Sequence, residues 1–282
     1  DTSPRHFALH ITPLSVADKF HEQIEIKQGA WIFTSATLAV SGDFKHFTER
    51  LGLKPTKQFS LPSPFDYQKQ ARLCVPRYLP EPNSNGLADK LVRMLAPLIE
   101  ENDGRCFFLC TSHSMMRELG EKFREVLELP VLMQGEMSKQ KTLAEFMELG
   151  NALLVATGAF WEGIDVRGDA LSCVIIDKLP FTAPDDPLLK ARIEDCRLRG
   201  GEPFAEVQIP DAVITLKQGV GRLIRDQKDH GALIICDNRL VTRDYGGIFL
   251  GSLPPIPRTR DLDGIKAFLK AEQSVTDASA EA

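Results

Sequence analysis

The sequence predicts an α/β fold, a parallel sheet covered by helices on both faces. From residue 84 onward, short apolar runs alternate with amphipathic segments. The runs are continuously apolar rather than alternating, as strands buried on both faces must be. At 282 residues and 43% hydrophobic, the chain is long enough for one large or two ordinary domains with real cores.

In chain order, FALHITPLSV (7–16) and AWIFTSATLAV (30–40) each read as a strand. PTKQFSLPSPFDYQ (55–68) is a proline-rich connector of weak periodicity and places a boundary near residue 60. LADKLVRMLAPLIEEN (87–102) has apolar residues at helical spacing. RCFFLCT (105–111) is a buried strand, and SHSMMRELGEKFREVLE (112–128) is a helix capped by Ser112. PVLMQ, a helix around TLAEFME, ALLVAT (152–157), LSCVIID (171–177), a helix carrying QGVGRLIRD (218–226), and GALIICD (231–237) continue the alternation. SLPPIPRTRD (252–261) cannot be helical and runs extended over the surface. A short helix, DGIKAFLKA, and a disordered polar tail, SVTDASAEA, complete the chain.

No stretch approaches the roughly 18 apolar residues of a membrane span, and DTSPRHF has neither region of a signal peptide. A cytoplasmic protein with no membrane partner is expected. The lack of an initiator methionine predicts a piece of a longer protein. A net charge of -5 argues against a globally basic nucleic-acid binder but leaves room for a local patch. Of six cysteines (Cys74, Cys106, Cys110, Cys173, Cys196, Cys236), Cys106, Cys173 and Cys236 lie in apolar runs, the pattern of reduced, buried thiols. Cys106 and Cys110 form a close pair, yet no second pair or histidine cluster completes a metal site.

Three stretches carry candidate chemistry. In QGVGRLIRD, helical spacing puts Arg222 near 40° and Arg225 near 340° from Gln218, roughly opposite Val213, Leu216, Val220 and Leu223. Gly219 and Gly221 each cost about 1 kcal/mol in a helix, so something approaches that backbone closely. The polar face is either solvated or aimed at an anion. In VATGAFWEGIDVRG (155–168), Gly158, Gly163 and Gly168 punctuate a loop holding Glu162 and Asp165 where a parallel sheet places ligands. The same loop is also explained by glycines at positive φ and a packed Trp161. Thr111 and Ser112 sit at a strand-to-helix junction, which is an anion site or a plain N-cap.

No GxxxxGK[ST] phosphate loop occurs in the sequence. LSCVIID ends in Asp177 like a strand presenting a magnesium-holding aspartate. KLPF follows it with no adjacent glutamate, and without a phosphate loop that reading is set aside.

Read in succession, TSATLAVSGDFKHFTERLGL (34–53), SPFDY (63–67), CFFLCTSHSMM (106–116), ATGAFWEGID (156–165), DKLPFTAPDDP (177–187) and QGVGRLIRD resemble motif III through motif VI of the superfamily 2 DNA helicases related to XPD and DinG. The match spans roughly residues 8 to 260, and within the group the chain is most similar to the shorter bacterial paralogue of DinG. The resemblance implies an ATP-driven motor moving 5′ to 3′ on single-stranded DNA in repair or replication, associated with the nucleoid. The phosphate loop and a 4Fe-4S cluster of the family lie N-terminal to its SAT motif. Residues 1–60 would then be the end of motor domain 1, 61–251 a RecA-like motor domain 2, and 252–282 an extension. ATP and Mg²⁺ would be bound mainly by motor domain 1, leaving the isolated chain inactive.

The resemblance assigns roles residue by residue. Arg222 and Arg225, with Gln218, reach across the cleft to the γ-phosphate; Gly163 and Asp165, beside Glu162, line that cleft. Thr157, Gly158, Thr111 and Ser112 face the DNA backbone, and Thr34, Ser35, Ala36 and Thr37 couple nucleotide state to DNA contacts. An alternative is a docking module for a replication partner such as the χ (chi) subunit of the DNA polymerase III clamp loader, held through motor domain 2 or residues 252–270. A catalytically independent α/β enzyme would need a nucleophile and base, and no histidine falls within 158–168.

Overall fold

The structure, a computed structural model, describes residues 11–27, 29–160 and 170–280, with the backbone alone for Ala159 and 273–280. The helices are α1 (Ala17–Ile26), α2 (Lys45–Arg50), α3 (Tyr67–Gln70), α4 (Leu87–Glu101), α5 (His113–Val126), α6 (Lys139–Leu149), α7 (Pro187–Leu198), α8 (Ile209–Val220), α9 (Arg239–Thr242), α10 (Gly246–Ser252) and α11 (Leu262–Ala280). The strands are β1 (Ala71–Cys74), β2 (Cys106–Leu109), β3 (Val131–Met133), β4 (Leu153–Ala156), β5 (Cys173–Ile176), β6 (Gly231–Ile235) and β7 (Arg258–Thr259). The chain divides into two compact units: Asp1–Ser60 with Phe181–Ala212, and Leu61–Pro180 with Val213–Ala282.

The second unit contains the expected sheet. Its seven strands run in the order β3-β4-β2-β5-β6-β1-β7, and every pairing is parallel. All residues of β2, β4, β5 and β6 are buried, which explains their unbroken apolar sequence. Helices α4, α5 and α11 bury Leu91, Leu95, Ile99, Leu119, Phe123, Ile265 and Leu269 in the same core as Phe108, Val155 and Ile175. The Ser112 hydroxyl accepts from the Met115 amide at 3.2 Å, so the predicted cap of α5 is formed.

In the first unit, Phe20, Trp31, Phe33 and Phe47 form a chain of ring contacts with centroids 5.6–6.3 Å apart. Asp211, at the start of α8, binds Arg50 of α2 at 3.0 Å, Arg192 of α7 at 3.3 Å and His46 at 3.4 Å. These bonds account for Phe181–Ala212 clustering here, although it lies inside the continuous 61–251 span that the motifs suggest.

Two other expectations are corrected. AWIFTSATLAV forms no strand; only an isolated bridge joins Val40 to Asp43. A strand is a paired state, and apolar alternation without a neighbouring strand leaves extended coil. The described part of FALHITPLSV, 11–16, forms no strand either. The sheet also contains β1, whose apolar run is broken by Arg72, and β7, which is only two residues long. The stretch from Ile256 onward packs against the sheet. Ile256, Ile265 and Leu269 are buried, the Arg260 guanidinium donates to the Val75 carbonyl at 2.9 Å, and α11 continues to Ala280. The added turns carry neither glycine nor proline to stop them.

Candidate functional site

The carboxyl ends of the parallel strands, where ligands of such sheets bind, are joined by side-chain hydrogen bonds. Beyond β5, Asp177 is fully buried. Its Oδ1 accepts from the amides of Thr111 (3.0 Å) and Lys178 (2.7 Å), and its Oδ2 accepts from the Thr111 hydroxyl at 3.1 Å. Burial pushes its carboxyl up to about 6 despite these donors. Beyond β3, Gln134 Oε1 accepts from the Thr157 amide (2.7 Å) and hydroxyl (3.0 Å). Beyond β6, the fully buried Asp237 accepts from the Leu179 amide at 2.8 Å and from the Arg239 guanidinium at 2.7 Å.

Thr111 and Thr157 therefore spend both of their donors inside the fold. That differs from their expected contact with a DNA phosphate, which needs a donor turned outward. Ser112 Oγ serves as an acceptor in its cap, which leaves its hydroxyl hydrogen for another partner. Gly158 is exposed, in a 3-10 turn spanning Gly158–Phe160. A cavity of about 590 Å³ opens at the same end of the sheet, with His113, Met116, Arg117, Met133 and Gln134 in its wall.

Asp177, Gln134 and Asp237 were not singled out for these roles by the motifs. Their signal is a polar residue that closes an apolar run, as in VIID and IICD. Asp177 ties the loop after β2 to the start of the loop after β5.

The arginine stretch is built differently from its periodicity. The helix predicted through Arg225 ends at Val220. Gly221, Arg222 and Leu223 form a turn in which the Arg222 amide donates to the Gly219 carbonyl at 3.2 Å and the Leu223 amide to Val220 at 3.1 Å. Arg225 is outside any helix, with its amide on Asp229 Oδ2 at 2.7 Å. The glycines lower helix propensity, and an acidic side chain four residues on offers the backbone another partner. The expected division of faces survives: Val213, Leu216, Val220 and Leu223 are buried, while Gln218, Arg222 and Arg225 are half-buried. Leu223 seats the turn on β6, because a Cβ on Gly231 would lie 2.5 Å from its Cδ1. Desolvation lowers the Lys217 ammonium below the ordinary lysine value, and this residue adds a cation to the stretch.

Thr34, Ser35, Ala36 and Thr37 belong to the first unit. Ser35 Oγ accepts from the Thr37 amide at 3.1 Å and lies 3.0 Å from its hydroxyl, a local turn with Thr34, Ser35 and Ala36 exposed. Glu162, Gly163 and Asp165, with Trp161 and Gly168, lie outside the described residues. Among the described residues no group of three or more His, Cys, Asp or Glu is placed to hold a metal ion. All six cysteines are buried, and burial pushes Cys74 up to about 12 and Cys110 and Cys236 well above the ordinary thiol value. Among the described residues no helix is long and apolar enough to cross a membrane.

Residues 95–256 match the model of the helicase C-terminal domain family. The chain is 65% identical to the ATP-dependent DNA helicase YoaA of Escherichia coli (strain K12), over 97% of this chain and 43% of that relative. It is 36% identical to the ATP-dependent helicase DinG of Mycobacterium tuberculosis, over 93% of this chain and 40% of that relative. Among solved structures, apo XPD matches with a TM-score of 0.58 at 18% identity, over 76% of this chain and 46% of that one, a likeness of fold. The family and the RecA-like fold expected from the motif succession are those found. The chain spans less than half the length of these curated relatives.

Proposed function

The chain belongs to the helicase C-terminal domain family, of the XPD/DinG type, and on that premise we propose that it is the second motor half of an ATP-dependent 5′-to-3′ DNA helicase. The supporting observation is the turn after α8, which sets Arg222 and Arg225 on a buried base of Leu223 and Ile224. ATP and Mg²⁺ are held by a phosphate loop supplied outside this chain. The arginines approach the γ-phosphate and stabilise the charge that develops on the transferred phosphoryl group. An arginine suits this because it stays charged and its planar fork matches phosphate oxygens. Gln218, four residues before Arg222, orients the nucleotide-facing end of α8, and the motif resemblance assigns Gly163, Asp165 and Glu162 to the nucleotide. Only the triphosphate offers the arginines a full charge to bridge, so binding and hydrolysis favour different inter-domain states.

Single-stranded DNA runs across the carboxyl end of the sheet. Ser112 and Gly158 supply backbone contacts, while Thr111 and Thr157, tied to Asp177 and Gln134, hold the two loops in shape. Thr34, Ser35, Ala36 and Thr37 relay nucleotide state to the DNA. The iron–sulfur cluster of the family is assigned to the part of the protein beyond this chain.

Arg222→Ala and Arg225→Ala in the full-length protein test the reading. Each should lower ATP hydrolysis by about 10³-fold or more while single-strand affinity stays within a few-fold. Wild-type hydrolysis in either variant would refute it.

A further inference from the structure

The turn that follows Arg225 is held by one side chain of its own and by one distant in sequence. Asp229 Oδ2 accepts from the Arg225 amide at 2.7 Å and from the Asp226 amide at 2.8 Å. From the other side, Gln70 Nε2 donates to the carbonyls of Asp226 (3.0 Å) and Asp229 (2.9 Å). Both amide hydrogens of Gln70 are thereby used, and the residue is 4% exposed. The chain geometry explains why Gln70 can reach. It is the last residue of α3, and the next residue, Ala71, is the register partner of Gly231 where β6 begins. The 226–229 turn lies just before that point.

We propose that Gln70 and Asp229 are positioning residues for the reaction, a two-sided clamp that fixes the backbone of Arg225 and so the placement of its guanidinium. This rests on the reading of Arg225 as a γ-phosphate contact and goes beyond it. Helix α8 ends five residues before Arg225, at Val220. Two amides and two carbonyls of the turn are instead satisfied by side chains. A free surface turn would exchange these groups with water and sample many directions, and a guanidinium misplaced by about 1 Å can cost about 10²-fold in rate.

The test uses the full-length protein with Asp229→Ala, Asp229→Asn, Gln70→Met and Arg225→Ala. DNA-stimulated ATP hydrolysis is resolved into kcat and KM, beside single-strand binding and the thermal midpoint. Asp229→Ala and Gln70→Met, which removes the donors while keeping the shape, should each lower kcat by about 10-fold to 100-fold, with KM and DNA affinity within a few-fold. Asp229→Asn keeps an acceptor oxygen and should restore kcat to within a few-fold of wild type. The clamp is overturned if Arg225→Ala abolishes hydrolysis while Asp229→Ala and Gln70→Met keep wild-type kcat. It is also overturned if both lose kcat and DNA binding in parallel with a fallen midpoint, or if Asp229→Asn is as impaired as Asp229→Ala. Wild-type kcat in Arg225→Ala would remove the underlying reading itself.

Discussion

Thr111 gives both of its donors, the backbone amide at 3.0 Å and the hydroxyl at 3.1 Å, to the two oxygens of Asp177, a carboxyl with no exposed surface. The junction between β2 and α5 is thus tied to the end of β5, its neighbour in the sheet. A loop proposed to meet DNA owes its shape to a buried acid on another strand.

The first expectation concerns pH. The Asp177 carboxyl is raised to about 6, so its proton is bound more tightly in the folded state than in the unfolded chain. The stability it contributes is fully present below the ordinary aspartate value and is lost as pH rises through about 6. That amounts to about 3 kcal/mol. Denaturant titrations between pH 4 and 8 should show this decline in the wild type and its absence in Asp177→Asn.

Removing the acceptor altogether is worse than neutralising it. Asp177→Ala leaves the Thr111 and Lys178 amides without their partner and should cost about 3 kcal/mol, read from the denaturant midpoint. A loss below about 0.5 kcal/mol would mean that these groups find water instead.

Two residues of one loop should separate in a DNA-binding titration. Ser112→Gly keeps most of the cap, since glycine costs only a few tenths of a kcal/mol there, and removes the hydroxyl. It should weaken single-strand binding of the full-length protein by about 1 kcal/mol. Thr111→Val should lower stability and leave the salt dependence of DNA binding unchanged.

Gly231→Ala should overpack the seat of the arginine turn, because the added carbon would meet Leu223 Cδ1 at 2.5 Å and the Ser172 carbonyl at 2.6 Å. We expect about 1–3 kcal/mol of destabilisation and a lowered ATPase rate in the full-length protein.

Asp211 titrates in the opposite sense to Asp177. Burial pushes it up, but His46, Arg50 and Arg192 outweigh that and hold it below the ordinary aspartate value. Its contribution is present above that value and is lost as pH falls through the lower folded one. Asp211→Asn should speed amide exchange in Lys45–Arg50 and leave β2 protected.

The strands CFFL, LLVA, CVII and GALII could be read directly because burial on both faces forces an unbroken apolar run. Ser112 could be read as a cap because capping is local. AWIFTSATLAV could not be settled that way, since pairing depends on a neighbour that the pattern does not specify. Periodicity carried the helix past Val220 because Leu223 keeps the apolar spacing. The competitors that end it are Asp229, four residues beyond Arg225, and Gln70, 156 residues from Asp226. No local pattern contains that distance. The donors of Thr111 and Thr157 were likewise spent by partners 66 and 23 residues away.

The most direct measurement is ATP hydrolysis by this chain alone, compared with the full-length protein, each with and without single-stranded DNA. A motor half that contributes arginines to a phosphate held elsewhere should show no hydrolysis by itself and DNA-stimulated hydrolysis in the full-length protein. Hydrolysis by the isolated chain would contradict this, because it would require a complete nucleotide site among these 282 residues.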